Sequence, residues 1–127
     1  MIRERRTVQR QTIKRVLEEA GRPMSPQEVH VAARKSIPGI GLATVYRAVR
    51  RLLDQGWLVT VDIPGEPPRY ELAGKTHHHH FFCRGCGRTF DVKGCPQEIK
   101  SLTPRGFRLE GHELVLYGRC PRCLKRE

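Results

Sequence analysis

Two short cysteine pairs, Cys83-x-x-Cys86 and Cys120-x-x-Cys123, constrain this chain more than any other feature of it. Two residues between the members of a pair leave room for a tight turn that aims both sulfurs at one point. Four thiolates aimed in this way suit a tetrahedral Zn²⁺. Cys86 and Cys120 lie 34 positions apart, so a shared ion would staple the end of this segment to its beginning. The segment carries few large apolar residues, and metal binding coupled to folding compensates for a thin core. With all four positions filled by protein, the expected site is structural rather than catalytic. Buried or disulfide-bonded cysteines are the alternative. Cys95 is left over and reads as a packing or helix-capping residue rather than a reactive thiol.

The 127 residues suffice for one ordinary domain or two small ones. The chain has 24 Lys+Arg against 13 Asp+Glu, a formal +11. Residues 1–56 hold 12 of the basic and 5 of the acidic side chains, so this half carries +7. A basic half is an electrostatic footprint for a polyanion, most often nucleic acid. No apolar run approaches the ~20 residues of a membrane span, so no membrane partner is expected. The opening MIRERRTVQR has no apolar signal core. The expected compartment is the cytoplasm, where cysteines stay reduced and paired ones mean metal more often than disulfide.

Periodicity predicts three helices and then a hairpin. In TVQRQTIKRVLEEAG the residues Ile13, Val16, Leu17 and Ala20 fall on one helical face, with Thr7 as cap and Gly21 as stop. Ser25, Pro26 and Glu28 form a capping-box signature for a second helix. A third, GLATVYRAVRRLLDQG, turns Val45, Val49, Leu52 and Leu53 inward and ends at Gly56. Trp57, Val59, Val61 and Ile63 then alternate with period two, and RYEL returns after a Pro-Gly turn. This order is that of a winged helix-turn-helix, whose third helix, Arg-rich on its outer face, would enter the DNA major groove. Beyond residue 74 lie all five cysteines and five of six histidines. Here FFC, RTFDV and HELVLYG read as strands, and Pro96 opens a short helix to about Leu102. The fold class is therefore α+β, with a winged-helix domain at 1–73 and a small α/β metal-binding domain at 74–127.

In an extended segment His77 and His79 point one way, His78 and His80 the other. One strand is thus able to feed two different metal centres, with Glu71, Asp91, Glu98 and His112 as candidate partners.

TVQRQTI, IGLATVYRAV, YEL…HHHHFFCRGCG and HELVLYGRCPRC together resemble the ferric uptake regulator family of metal-dependent bacterial transcription factors. The likeness covers nearly the whole chain in order. It implies a C-terminal dimerisation domain and a homodimer that binds a palindromic, A·T-rich double-stranded DNA operator when loaded with metal. By that resemblance Cys83, Cys86, Cys120 and Cys123 hold the structural zinc. Glu71, His78 and His80, with Asp91 added, make the regulatory site at the interdomain hinge. His77, His79, Glu98 and His112 make a further site in the dimerisation domain. Thr44, Tyr46 and Arg47 belong to the recognition helix, and Arg50 and Arg51 are expected on phosphates.

Pro23 stands where many iron- and peroxide-sensing members have a sensory histidine, and His79 where iron sensors often have Asp. An imidazole-rich set suits Zn²⁺, so zinc sensing is placed ahead of iron (Fe²⁺), with Mn²⁺ behind. A zinc buffer without a DNA role and a peroxide-responsive member of the same family are the alternatives. No Ser/His/Asp arrangement, phosphate loop or His-Glu-x-x-His motif appears, so no enzyme is expected.

Overall fold

Where the chain stops being helical is decided by its glycines and caps, and these divide the N-terminal half into three helices and a hairpin. The computed structural model describes residues 2–127 and groups them into two compact units, one ending at Gly74 and the other running from Lys75 to Glu127. In the first unit α1 spans Ile2–Ala20, α2 Pro26–Ala33 and α3 Leu42–Asp54, followed by β1 (Leu58–Val61) and β2 (Arg69–Leu72).

The first helix begins earlier than its expected cap. Thr7 lies inside α1, and its hydroxyl donates to the carbonyl of Arg3, 3.0 Å away. The residues before it are Arg and Glu, good helix formers with no breaker among them, so nothing stops the helix at Thr7. Gly21, at φ +60°, ends it as predicted. The capping box at Ser25 forms in full: its hydroxyl accepts from the Glu28 amide at 3.2 Å, and Glu28 Oε1 accepts from the Ser25 amide at 3.2 Å.

Ile13, Leu17, Val29, Val45, Val49, Leu52 and Leu58 make one buried cluster between the three helices and the hairpin. Each such side chain contributes roughly 1.5–3 kcal/mol by leaving water. Leu53, expected inside, only packs against the cluster's edge.

The hairpin corrects the predicted alternation. Leu58 and Val61 face the core, Val59 is exposed, and Trp57 lies half-buried beneath the Lys14 ammonium, which is 5.3 Å from its ring centre. The turn at Gly56 (φ +76°) directs the Trp57 amide back to the Leu52 carbonyl, so the first residue to enter the strand is Leu58. A two-stranded ribbon has no second layer over its outer face, and Val59 and Thr60 are both exposed. Met24 exchanges both backbone hydrogen bonds with Tyr70 at 2.9 Å, so the wing is laced to the entry of α2.

The second unit is built on β3 (His79–Cys83), flanked by β4 (Thr89–Val92) antiparallel and β5 (Val115–Gly118) parallel. The short helix predicted after Pro96 is a 3₁₀ turn, η1, over Gln97–Leu102, and a last α4 covers Pro121–Leu124. The final strand starts at Val115, so His112 sits on the approach to β5 rather than within it. Its buried cluster consists of Cys83, Cys120 and Cys123, with Phe90 packed against them. Leu102, Phe107 and Leu124 are more than half exposed.

The cap offers a direct check of the helix-turn-helix. Ser25→Ala removes the side-chain acceptor for the Glu28 amide and should cost about 1 kcal/mol. Thermal unfolding of the variant should show a lower Tm with the same secondary structure.

Candidate metal centres and nucleic-acid interface

The sulfur cluster lies where strand ends meet. Cys83 closes β3, Cys86 and Gly87 (φ +75°) form the turn into β4, and Cys120 and Cys123 flank the start of α4. Cys83 Sγ is 3.6 Å from Cys123 Sγ, and Cys86 Sγ is 3.8 Å from Cys120 Sγ. These lengths exclude disulfides and are close to the edge of a tetrahedron of four Zn–S bonds, about 3.8 Å for a bond of about 2.3 Å. Gly85 permits the approach: a Cβ there would lie 2.7 Å from Cys123 Sγ.

The thiols do not share one acidity. Burial alone would raise Cys83, but the amides of Cys120, Cys86 and Gly85 point at its sulfur and bring it down to about 6. The neighbouring Cys83 sulfur and then burial push Cys123 up to about 12. Burial also raises Cys86, while the Cys123 amide lowers Cys120. Sulfurs this close do not ionise together unless a cation shares them. The donor set thus fits a structural Zn²⁺.

The histidine run divides as its alternation predicted. His78 and His80 lie on one side with Asp91, which pairs with His80 across the β3–β4 ladder. Both Nε2 atoms are 3.7 Å from Asp91 Oδ1. That oxygen is buried and has no hydrogen-bond partner among the described residues, as expected of an atom placed to face a cation. Its twin, Oδ2, is held 2.6 Å from the Lys75 ammonium, and His78 Nδ1 is tied to the Thr76 carbonyl at 2.8 Å. The latter bond fixes the ring so that Nε2 is the nitrogen that faces Asp91. Glu71 is on β2 of the first unit, opposite Val59, and is buried.

His77 and His79 lie on the other side. Their Nε2 atoms are 3.1 Å apart, and each is 3.2 Å from His112 Nε2. Burial first, then the surrounding imidazoles, hold His79 below the usual histidine range, in the neutral form that binds metal. The fourth member of this group is Cys95, not the expected Glu98. Cys95 Sγ is 3.0 Å from His112 Nε2, whereas Glu98 is exposed in the first turn of η1. The turn at Gly94 (φ +93°) sets Cys95 beside the histidines, while η1 carries the chain onward. The reading of Cys95 as a packing residue is corrected accordingly: it is exposed and points at the imidazoles.

On α3, Val45, Ala48, Val49 and Leu52 face inward, while Tyr46, Arg47, Arg50 and Arg51 are exposed and Thr44 is half-buried. Arg47 donates to the Thr44 hydroxyl at 3.2 Å, and Gln27 of α2 donates to the Tyr46 hydroxyl at 2.8 Å. Arg6, Gln9 and Arg10 of α1 join Thr44, Arg47 and Arg51 around a surface groove of about 420 Å³. Arg6 was missed from sequence because the helix was expected to begin at Thr7, and Gln9 and Arg10 because only the apolar face of that helix was read. Their spacing, Arg6 to Arg10 at i, i+4, was the available signal.

Residues 3–117 match the model of the ferric uptake regulator family. The chain is 32% identical over 127 residues to the ferric uptake regulation protein of Synechococcus elongatus, covering 94% of this chain and 85% of that one. It is similar to the structure of a zinc-bound manganese uptake regulator, with TM-score 0.77, 32% identity and 88% and 87% of the two chains covered. It is also similar to the Helicobacter pylori ferric uptake regulator Fur, whose structure reveals three functional metal-binding sites, with TM-score 0.67 and 25% identity over 91% and 79% of the chains.

Cys83→Ser or Cys120→Ser should remove one zinc per chain, measured by elemental analysis, and collapse the second unit, seen as lost near-ultraviolet dichroism. Gly85→Ala keeps every ligand but crowds Cys123 Sγ, so chelator should strip its zinc faster. A Cys-to-Ser variant that folds normally without zinc would refute the structural role.

Proposed function

The chain belongs to the ferric uptake regulator family, and on that basis we propose that it is a metal-responsive transcriptional repressor, a homodimer that binds a palindromic, A·T-rich operator once its regulatory metal is bound. The observation that carries this reading is α3, which is apolar on its inner face and bears Tyr46, Arg47, Arg50 and Arg51 on its outer one. In the major groove the Tyr46 ring packs on a thymine methyl, and Arg47 reaches a guanine edge or a phosphate. Arg50 and Arg51, joined by Arg6 and Arg10, lie on phosphates and hold the register. The basic charge of this half supports that division of labour.

The regulatory site is assigned to Glu71, His78, His80 and Asp91. Glu71 comes from the end of the wing and the other three from the next unit, with only a short stretch of chain between them. When bound, the ion supplies the positive charge that draws these groups together, and it favours the DNA-competent arrangement by its differential affinity. The remaining work belongs to the chain. Asp91 offers Oδ1 while Lys75 steadies Oδ2, and Thr76 orients His78. The donor set accepts Zn²⁺ and Fe²⁺, with Mn²⁺ weaker, and the general affinity order places Zn²⁺ first. Pro23, fully buried before α2, offers no donor there. His77, His79 and His112 are assigned to a second site. Dimer formation is assigned to residues 74–127, where β5 is an edge strand with Leu116 and Tyr117 exposed.

Operator affinity, followed by fluorescence anisotropy against buffered free Zn²⁺, Fe²⁺ and Mn²⁺, should rise roughly 5- to 150-fold on metal binding, a coupling of about 1–3 kcal/mol. Replacing His78 and His80 with Ala should erase that rise and leave a folded, zinc-containing dimer. If the double variant keeps the response, the regulatory assignment is wrong. Arg47→Ala should cost about 1–3 kcal/mol on the operator, whereas Arg50→Ala should weaken all sequences alike and reduce the salt slope by about one.

A further inference from the structure

We propose that Cys95 is a thiolate ligand, and that with His77, His79 and His112 it makes a His₃Cys site for a borderline-soft divalent cation, Zn²⁺ before Fe²⁺ or Mn²⁺. The inference rests on the reading that the three histidines form a metal site, and it changes that site's fourth donor from Glu98 to a sulfur.

Three imidazole Nε2 atoms meet at 3.1, 3.2 and 3.2 Å. A ring nitrogen that carries a proton cannot accept, and one that lacks a proton cannot donate. Three mutually close nitrogens therefore cannot all be paired by hydrogen bonds among themselves. A cation satisfies all three lone pairs at once. For Zn–N bonds of about 2.0–2.1 Å the tetrahedral edge is about 3.3 Å, close to the spacing the side chains already adopt. The fourth corner needs a donor aimed at the same point. Cys95 Sγ, 3.0 Å from His112 Nε2, is the group that is there, its other contact being a long one of 3.8 Å to the Pro96 carbonyl. All four ligand atoms lie within 4.8 Å of one another.

Three separate segments supply the donors: the start of β3 and the residues just before it, the turn after β4, and the approach to β5. The ion would therefore tie together loops that share no buried apolar cluster. Unlike the four-sulfur site, whose cysteines are buried save Cys86, this one has His77 and Cys95 exposed and only His79 fully buried. An open site of this kind exchanges its metal with solvent. A thiolate tilts selection toward Zn²⁺ and away from cations that prefer oxygen.

Cobalt distinguishes the donors, because a thiolate bound to Co²⁺ gives a near-ultraviolet charge-transfer band that imidazole and carboxylate do not. Co²⁺ is titrated into zinc-retaining protein, wild type, Cys95→Ser and Glu98→Gln. Any exchange at the four-sulfur site is common to all three and cancels, and the site at His78 and His80 carries no sulfur. The expected result is a thiolate band in wild type and Glu98→Gln that Cys95→Ser lacks, with Co²⁺ affinity in Cys95→Ser lower by about tenfold or more, since even outer-shell losses cost about 10–100-fold. An equal band and affinity in Cys95→Ser overturns the proposal. If wild type shows no extra thiolate band and Glu98→Gln loses a bound cobalt, Cys95 is not a ligand but the second site stands. If the His77→Ala, His112→Ala double variant binds as much cobalt as wild type, the site itself falls with the proposal.

Discussion

Four sulfurs converge within 4.8 Å of one another in the second half of this protein, and most of what surrounds them follows from that convergence. The unit from Lys75 to Glu127 buries little apolar surface beyond Phe82 and the cysteines themselves. A buried aromatic contributes roughly 1.5–3 kcal/mol, whereas structural zinc in small peptides contributes about 10–16 kcal/mol. A zinc ion held by the four sulfurs would outweigh any core these residues can assemble. β5 lies parallel to β3, a pairing that needs a long connection, and an ion shared by cysteines at the ends of the two strands would fasten them in register. The amides that lower the Cys83 thiol are those of the turns that carry the sulfurs, so the local backbone is already arranged for a negative charge.

From that fastened strand the histidines acquire separate surroundings. His79 and His80 are neighbours on β3, paired with Val92 and Asp91 respectively, and the pleat sends them to opposite faces. One face meets a carboxylate and the other meets an imidazole and a thiol. Harder and softer donor sets are thereby built from a single repeated residue. Donor sets that differ in this way favour different cations.

The winged helix obeys a different economy, in which apolar burial suffices. Its cluster runs from Ile13 through Leu58 and needs no metal, and Ser25, Gly21 and Gly56 set where each helix starts or stops. The outer face of α3 is then free to be basic. Because α1 extends to Ile2, Arg6 joins Arg10 beside Arg47 and Arg51, and the positive surface becomes a groove rather than a single helical stripe.

The three helices, the capping box at Ser25 and the convergence of the four cysteines were legible in the residues alone, since each rests on short-range spacing: a helical period, a capping box, two residues between cysteines. The split of the histidine run was legible for the same reason, because strand alternation is local. The wing's inward residues were misread, as Trp57 and Val59 instead of Leu58, because the turn at Gly56 sets the phase of the strand and no alternation rule contains it. Cys95 was hidden for a deeper reason. Its partners lie 16 to 18 positions away on one side and 17 on the other, and only the fold of β3, β4 and β5 brings them within reach. Spacing identifies ligands that share a turn; ligands that meet across strands are decided by the tertiary structure.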